Sequence, residues 1–182
     1  MKKIVAILLS LALLLGCTAV FAEADEKASL GTLSVNGEFT IQAKIPDGYV
    51  MKIRRADETR IQASFVSDDD TKPVLDLSVG LEDAWEPGSK LNNISEEDLK
   101  AIEASFYWDD PDYVITYGET AYGTKLLFAT LPDHSVMVIY SLYEGYEIEF
   151  TLYSTVETGL TQEQIDACVK FLSDMDFVAP QK

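Results

Sequence analysis

The chain is poor in the residues that most chemistries need. Its 182 residues include one histidine, His134, and two cysteines, Cys17 and Cys168. So few N/S ligands cannot make a closed zinc site of three or four. A nucleophile-histidine-acid triad would have to be built around His134, which sits in the turn Leu131-Pro132-Asp133-His134-Ser135. No Gly-x-Ser-x-Gly elbow occurs. Gly118 and the run Gly123-Thr124-Lys125 have the wrong spacing and order for a phosphate-binding loop. Basic residues are scarce too: 14 Lys+Arg face 31 Asp+Glu, a net charge of −17. That sign opposes nucleic acid and anionic lipid surfaces. What the chain has in quantity is apolar residues, 47%, with 9 Tyr and 8 Phe, which exclude a disordered chain.

The one long apolar run lies at the N-terminus. Lys2-Lys3 precedes Ile4 to Gly16, and Thr18-Ala19-Val20-Phe21-Ala22 leads into Glu23-Ala24-Asp25-Glu26. A basic start, a short apolar stretch and small residues at −3 and −1 (Val20, Ala22) make a secretory signal with cleavage after Ala22. The run is shorter than the ~20 residues of a membrane-spanning helix, and no later segment approaches that length. Leu14-Leu15-Gly16-Cys17 offers an alternative, a lipobox that would anchor the chain through a lipidated Cys17. Leu15 suits that pattern poorly, and the residues after Cys17 stay apolar instead of forming a polar tether. Removing residues 1–22, which carry Lys2, Lys3 and no acid, leaves 160 residues with 12 basic and 31 acidic side chains, net −19. Cys168 is then the only thiol, so no intramolecular disulfide forms despite the oxidising destination. It lies on the stripe Ile165, Cys168, Val169, Leu172, with the i, i+3, i+4, i+7 spacing of a buried helix face.

Residues 23–37 read as a polar lead-in with a short strand near Thr32–Val35, and 38–180 as a single domain. Apolar and polar residues alternate in Phe39–Ile45, Ile61–Phe65 and Leu75–Leu81, and Tyr49, Met51 and Ile53 begin another strand. Ser95-Glu96-Glu97-Asp98 and Thr161-Gln162-Glu163-Gln164 are capping boxes, each opening an amphipathic helix. Pro111 ends the first helix. Strands follow at about 113–118, 122–130, 135–143 and 146–154, with links short enough to demand antiparallel neighbours. The expected fold is α+β: a central antiparallel sheet of about 6–8 strands, one face buried, with two main helices packed on it.

The segment FTIQAKIPDGYV at 39–50, the helix after ISEEDL, the YGETAYGTKLLFATL hairpin and GYEIEFTLYS before the last helix together resemble the PsbP-like superfamily over about 140 residues. That resemblance implies a central antiparallel sheet with packed helices and a protein that binds partners or stabilises assemblies. It implies no catalytic motif, and no functional residue carries over.

Three surfaces remain as candidates. Tyr107, Trp108, Tyr113, Tyr117 and Tyr122 cluster around the central loop, a possible contact surface for an envelope protein or glycan. Asp109, Asp110 and Asp112 offer oxygens for calcium beside the rigid Pro111, as does Asp68-Asp69-Asp70, though neither has the arrangement of an EF-hand loop. Glu147 and Glu149 stand two apart on one strand, α-carbons roughly 6.6 Å apart, a spacing from which a glycosidase carboxylate pair can be built. Their neighbours Ile148, Phe150 and Leu152 define the buried face, so both acids are expected toward solvent or a covering loop.

The sequence therefore reads as a small exported, non-catalytic binding or accessory protein of a bacterial envelope or medium. It is expected to be monomeric, with no cofactor, no nucleic acid and no transmembrane segment after processing. The alternatives are a carboxylate-dependent glycan or cell-wall hydrolase and a calcium-stabilised surface protein. Intact-mass analysis of the exported protein is expected to give a chain beginning at Glu23; a diacylated chain beginning at Cys17 would overturn that cleavage site.

Overall fold

The computed structural model describes residues 28–33, 39–81, 85–120, 123–173 and 176–178. Ten strands and two helices follow in the order β1 (Ala28–Leu33), β2 (Phe39–Ala43), β3 (Val50–Ala56), β4 (Arg60–Val66), β5 (Val74–Leu81), α1 (Glu96–Asp109), β6 (Val114–Glu119), β7 (Lys125–Thr130), β8 (Val136–Tyr143), β9 (Tyr146–Tyr153), α2 (Gln162–Ser173) and β10 (Asp176–Val178). Seven of the strands form one antiparallel sheet in the order β3-β4-β5-β9-β8-β7-β6. This is the expected α+β fold, with a strand count inside the expected range.

Local chemistry sets the element ends. Ser95 Oγ accepts the Asp98 N–H at 3.1 Å and caps α1, whose first turn holds Glu96, Glu97 and Asp98. Thr161 and Gln164 form the reciprocal capping box of α2: Gln164 N–H donates to Thr161 Oγ1 at 3.3 Å, and Thr161 N–H donates to Gln164 Oε1 at 2.8 Å. The β8–β9 hairpin turns on Glu144 (φ 52°) and Gly145 (φ 86°), both in the left-handed region that tight hairpin turns require. A Cβ on Gly145 would also meet the Glu86 carbonyl oxygen at 2.9 Å.

The structure refines two expectations. First, the short strand expected near Thr32–Val35 begins earlier: residues 28–33 form β1, which pairs with β2, and β10 pairs with the other side of β2. The phenylalanine-led strand at 39–43 thus belongs to a separate three-stranded sheet, order β1-β2-β10. Second, the helices lie on opposite faces of the large sheet. Cys168 and Phe171 of α2 join Ile61, Phe65, Leu77, Ile139, Phe150 and Leu152 in one apolar layer. Ile102 and Phe106 of α1 join Leu127, Ala129, Val138, Tyr140 and Leu142 in the other. The reason is visible in β7 and β8. KLLFAT and VMVIYSLY are nearly continuous apolar runs, the pattern of strands buried on both faces, whereas β4, β5 and β9 alternate.

Among the described residues no helix is long and apolar enough to cross a membrane. Cys168 is buried in the inner layer, as its helical stripe implies, and burial pushes its thiol up to about 12. Phe150 anchors that layer, stacked on Phe171 at 5.3 Å and edge-on to Phe65 at 6.5 Å. Phe150→Ala is expected to lower stability by about 3–5 kcal/mol in urea unfolding, and a loss well below 1 kcal/mol would contradict this packing.

Candidate functional site

The outer face of the large sheet changes character along its own hydrogen-bonded rows. One row runs Gln62, Ser78, Glu149, Tyr140, Leu127, Tyr117 from β4 to β6. The next runs Ser64, Asp76, Thr151, Val138, Ala129, Ile115. Both are polar up to β9 and apolar from β8 onward. Helix α1 covers the apolar half and leaves the polar half as a floor edged by the helix.

Glu147 and Glu149 lie at that border. Glu147 Oε1 accepts the indole N–H of Trp85 at 2.7 Å and the hydroxyl of Tyr140 at 3.0 Å. Glu147 is therefore half-buried under the loop after β5 and pinned, while Glu149 is exposed beside it. Partial desolvation raises the Glu149 carboxyl above its ordinary range, and the charges of Glu147 and Asp109 add to this; the hydroxyl of Thr151 and the charge of Arg60 act the other way. Asp76 is bridged to Arg54 at 3.0 Å through Oδ2, and its buried Oδ1 has no hydrogen-bond partner among the described residues. Arg60 Nη1 donates to Ser78 Oγ at 3.4 Å. Gly80 makes room for it, because a Cβ there would lie 3.0 Å from Arg60 Cζ.

The groups that hydrolysis would combine are spread apart. His134 sits in the β7–β8 turn next to the Tyr153 end of β9, about six residues or roughly 20 Å along the strand from Glu147. Cys168 is under α2 on the opposite face. Among the described residues no three His, Cys, Asp or Glu side chains form a group that could hold a metal ion. Asp110 instead ends α1: its N–H donates to the Phe106 carbonyl at 3.0 Å, and its Oδ1 accepts the Asp112 N–H at 2.9 Å. Asp109 acts electrostatically on Glu149 and on Tyr113. In the other acidic cluster, Asp69 Oδ1 accepts the N–H of Thr71 at 3.0 Å and its hydroxyl at 2.6 Å.

The aromatic candidates divide. Tyr113 packs edge-on to Phe106 at 6.2 Å and is part of the outer layer. Tyr107, Trp108 and Tyr117 are exposed, Trp108 to 87%. Tyr117 is held in place: its hydroxyl donates to Glu103, and Lys125 Nζ lies 4.5 Å above its ring. Tyr122 falls outside the described residues, as do Cys17 and the signal segment. The composition pointed to none of Arg54, Arg60, Asp76 or Gly80; the polar positions of β4 and β5, aligned with those of β9, were the available signal.

No protein-family model matches the chain, and no curated protein or solved structure matches it either.

Because the fold penalises the ionised Glu149, that penalty is present at pH 7 and vanishes once pH falls below the carboxyl's unfolded pKa. Glu149→Gln is therefore expected to raise the urea midpoint at pH 7, with the difference closing as pH falls through the carboxylate range; an equal or growing difference at low pH would refute the raised pKa.

Proposed function

We propose that the protein is an exported, non-catalytic binding or accessory protein that meets an envelope protein or glycan through the aromatic surface at the end of α1. The observation that carries this reading is Trp108, a large ring left 87% exposed in a helix. An indole of about 200 Å² in water is costly to keep, and Trp and Tyr are the residues that most often anchor interfaces. Exposed Tyr107 adjoins Trp108 in the helix and Tyr117 is exposed on β6; Glu103 accepts the Tyr117 hydroxyl, and Asp109 and Asp110 follow Trp108 at the helix end, so the surroundings are acidic. Such surroundings favour a partner presenting cationic groups around an apolar contact. The secretory signal supports a role outside the cytosol, and the resemblance to the PsbP-like superfamily, whose members mostly bind proteins or stabilise assemblies, points the same way.

The second reading is a carboxylate-dependent hydrolase of glycan or cell wall. Its support is the raised pKa of Glu149 beside the pinned Glu147. Glu147 already accepts two hydrogen bonds on one oxygen, which ties it to Trp85 and Tyr140, and Glu149 is only partly desolvated.

Trp108→Ala is expected to reduce crosslinked capture of the partner from native envelope at least about tenfold while leaving the melting temperature unchanged, because the ring is 87% exposed. Undiminished capture by Trp108→Ala would remove the aromatic surface from the account. Glycan cleavage lost in Glu149→Gln would replace binding with catalysis.

A further inference from the structure

The two edges of the large sheet are built differently. β3 carries Lys52, Arg54 and Arg55 and a bulge between Ile53 and Arg55. Charge and bulges are the devices by which edge strands refuse further pairing. β6, at the opposite edge, reads VITYGE: it has no cation and no proline, and its register with β7 is unbroken from Val114 to Glu119. Among the described residues no strand pairs with its outer side.

A groove of about 450 Å³ runs beside this edge, between β6 and the start of α2. Val114, Tyr117, Phe128, Leu131, Met137 and Ile165 give it a largely apolar lining, with His134 and Gln162 among its polar groups. Gly118 lets the Phe128 ring lie against the strand, since a Cβ there would meet that ring at 2.6 Å. Val114 points into the groove and is 54% exposed, unusual for a valine in a strand with nothing covering it.

We infer that β6 is a docking edge that accepts an extended segment of a partner protein as an added strand. The unpaired N–H and C=O groups of β6 would bind the segment's backbone, and the groove would take every second side chain, which must be apolar. Charge selects the rest. Asp112 precedes the strand and Glu119 ends it, Asp133 lies in the adjoining turn, and Glu163 stands in the first turn of α2. Against them stand Lys125, drawn over the Tyr117 ring, and His134. The solvent-facing alternate positions of the segment are therefore basic. The same argument rejects a second copy, because two chains of net charge −17, or −19 after processing, repel.

The groove shares Tyr117 with the proposed aromatic surface but does not include Trp108, so Trp108→Ala tells the two readings apart. The test is an NMR titration of the full mature chain with a capped ten-residue peptide of alternating Val and Lys. Two comparison peptides carry Glu for Lys, or N-methyl groups on alternate backbone amides. The Val/Lys peptide is expected to shift β6 amides together with Phe128 and Ile165. Affinity is expected to fall at least about tenfold for each comparison peptide, and by a similar factor in Val114→Lys with an unchanged melting temperature. Trp108→Ala is expected to bind the peptide normally, which separates this edge from the aromatic surface. The inference is overturned if millimolar Val/Lys peptide leaves β6 unshifted, if the N-methylated peptide binds equally, if the shifts map to β3, or if sedimentation shows β6 occupied by a second copy.

Discussion

The outer face of the large sheet is divided between β9 and β8, and most of the molecule's surface chemistry follows from that division. On one side, Leu127, Ala129, Val138, Tyr140 and Leu142 need an apolar cover, which Ile102 and Phe106 of α1 provide. On the other side, Ser78, Asp76, Gln62, Glu149 and Thr151 need water or polar partners, so no helix can lie there. The helix must stop where the sheet turns polar. That fixes α1 over β6–β8, directs its terminal Tyr107 and Trp108 outward, and places Asp109 where its charge reaches Glu149. Trp85 marks the same border from the other end, with its ring against the α1 layer and its N–H on Glu147.

The division also separates chemistry from contact. Glu147 and Glu149, the histidine His134 and the buried thiol of Cys168 occupy different regions of the fold. The heavy negative charge has a positive use in this setting. On the proposed reading it opposes association of like-charged copies and favours partners of the opposite sign at the exposed indole and the open strand edge.

Much of the fold was legible because local rules decided it. Both capping boxes, the Pro111 stop, the Glu144-Gly145 turn and the alternation of β4, β5 and β9 are short-range signals. The small sheet was not legible, since β10 is three residues long and pairs with a strand more than a hundred positions earlier. The placement of the helices on opposite faces was written in the continuous apolar runs of β7 and β8, a signal that the reading of one-sided alternation passed over. At the candidate site, the exposure of Trp108 and the pairing of Glu147 with Trp85, 62 residues apart, depend on tertiary packing that no local pattern encodes. Tyr113 shows the converse: adjacent to the exposed aromatics in sequence, it belongs to the core layer.

The central claim, that the flank formed by the end of α1 and by β6 is the working surface, is tested most directly by hydroxyl-radical footprinting in the native envelope against the purified chain. The account predicts protection confined to Tyr107, Trp108, Val114 and Tyr117, with Tyr153 and the polar half of the sheet equally oxidised in both. Protection of Tyr153 and the β4–β5 floor, with Trp108 as reactive in the envelope as in isolation, would contradict it.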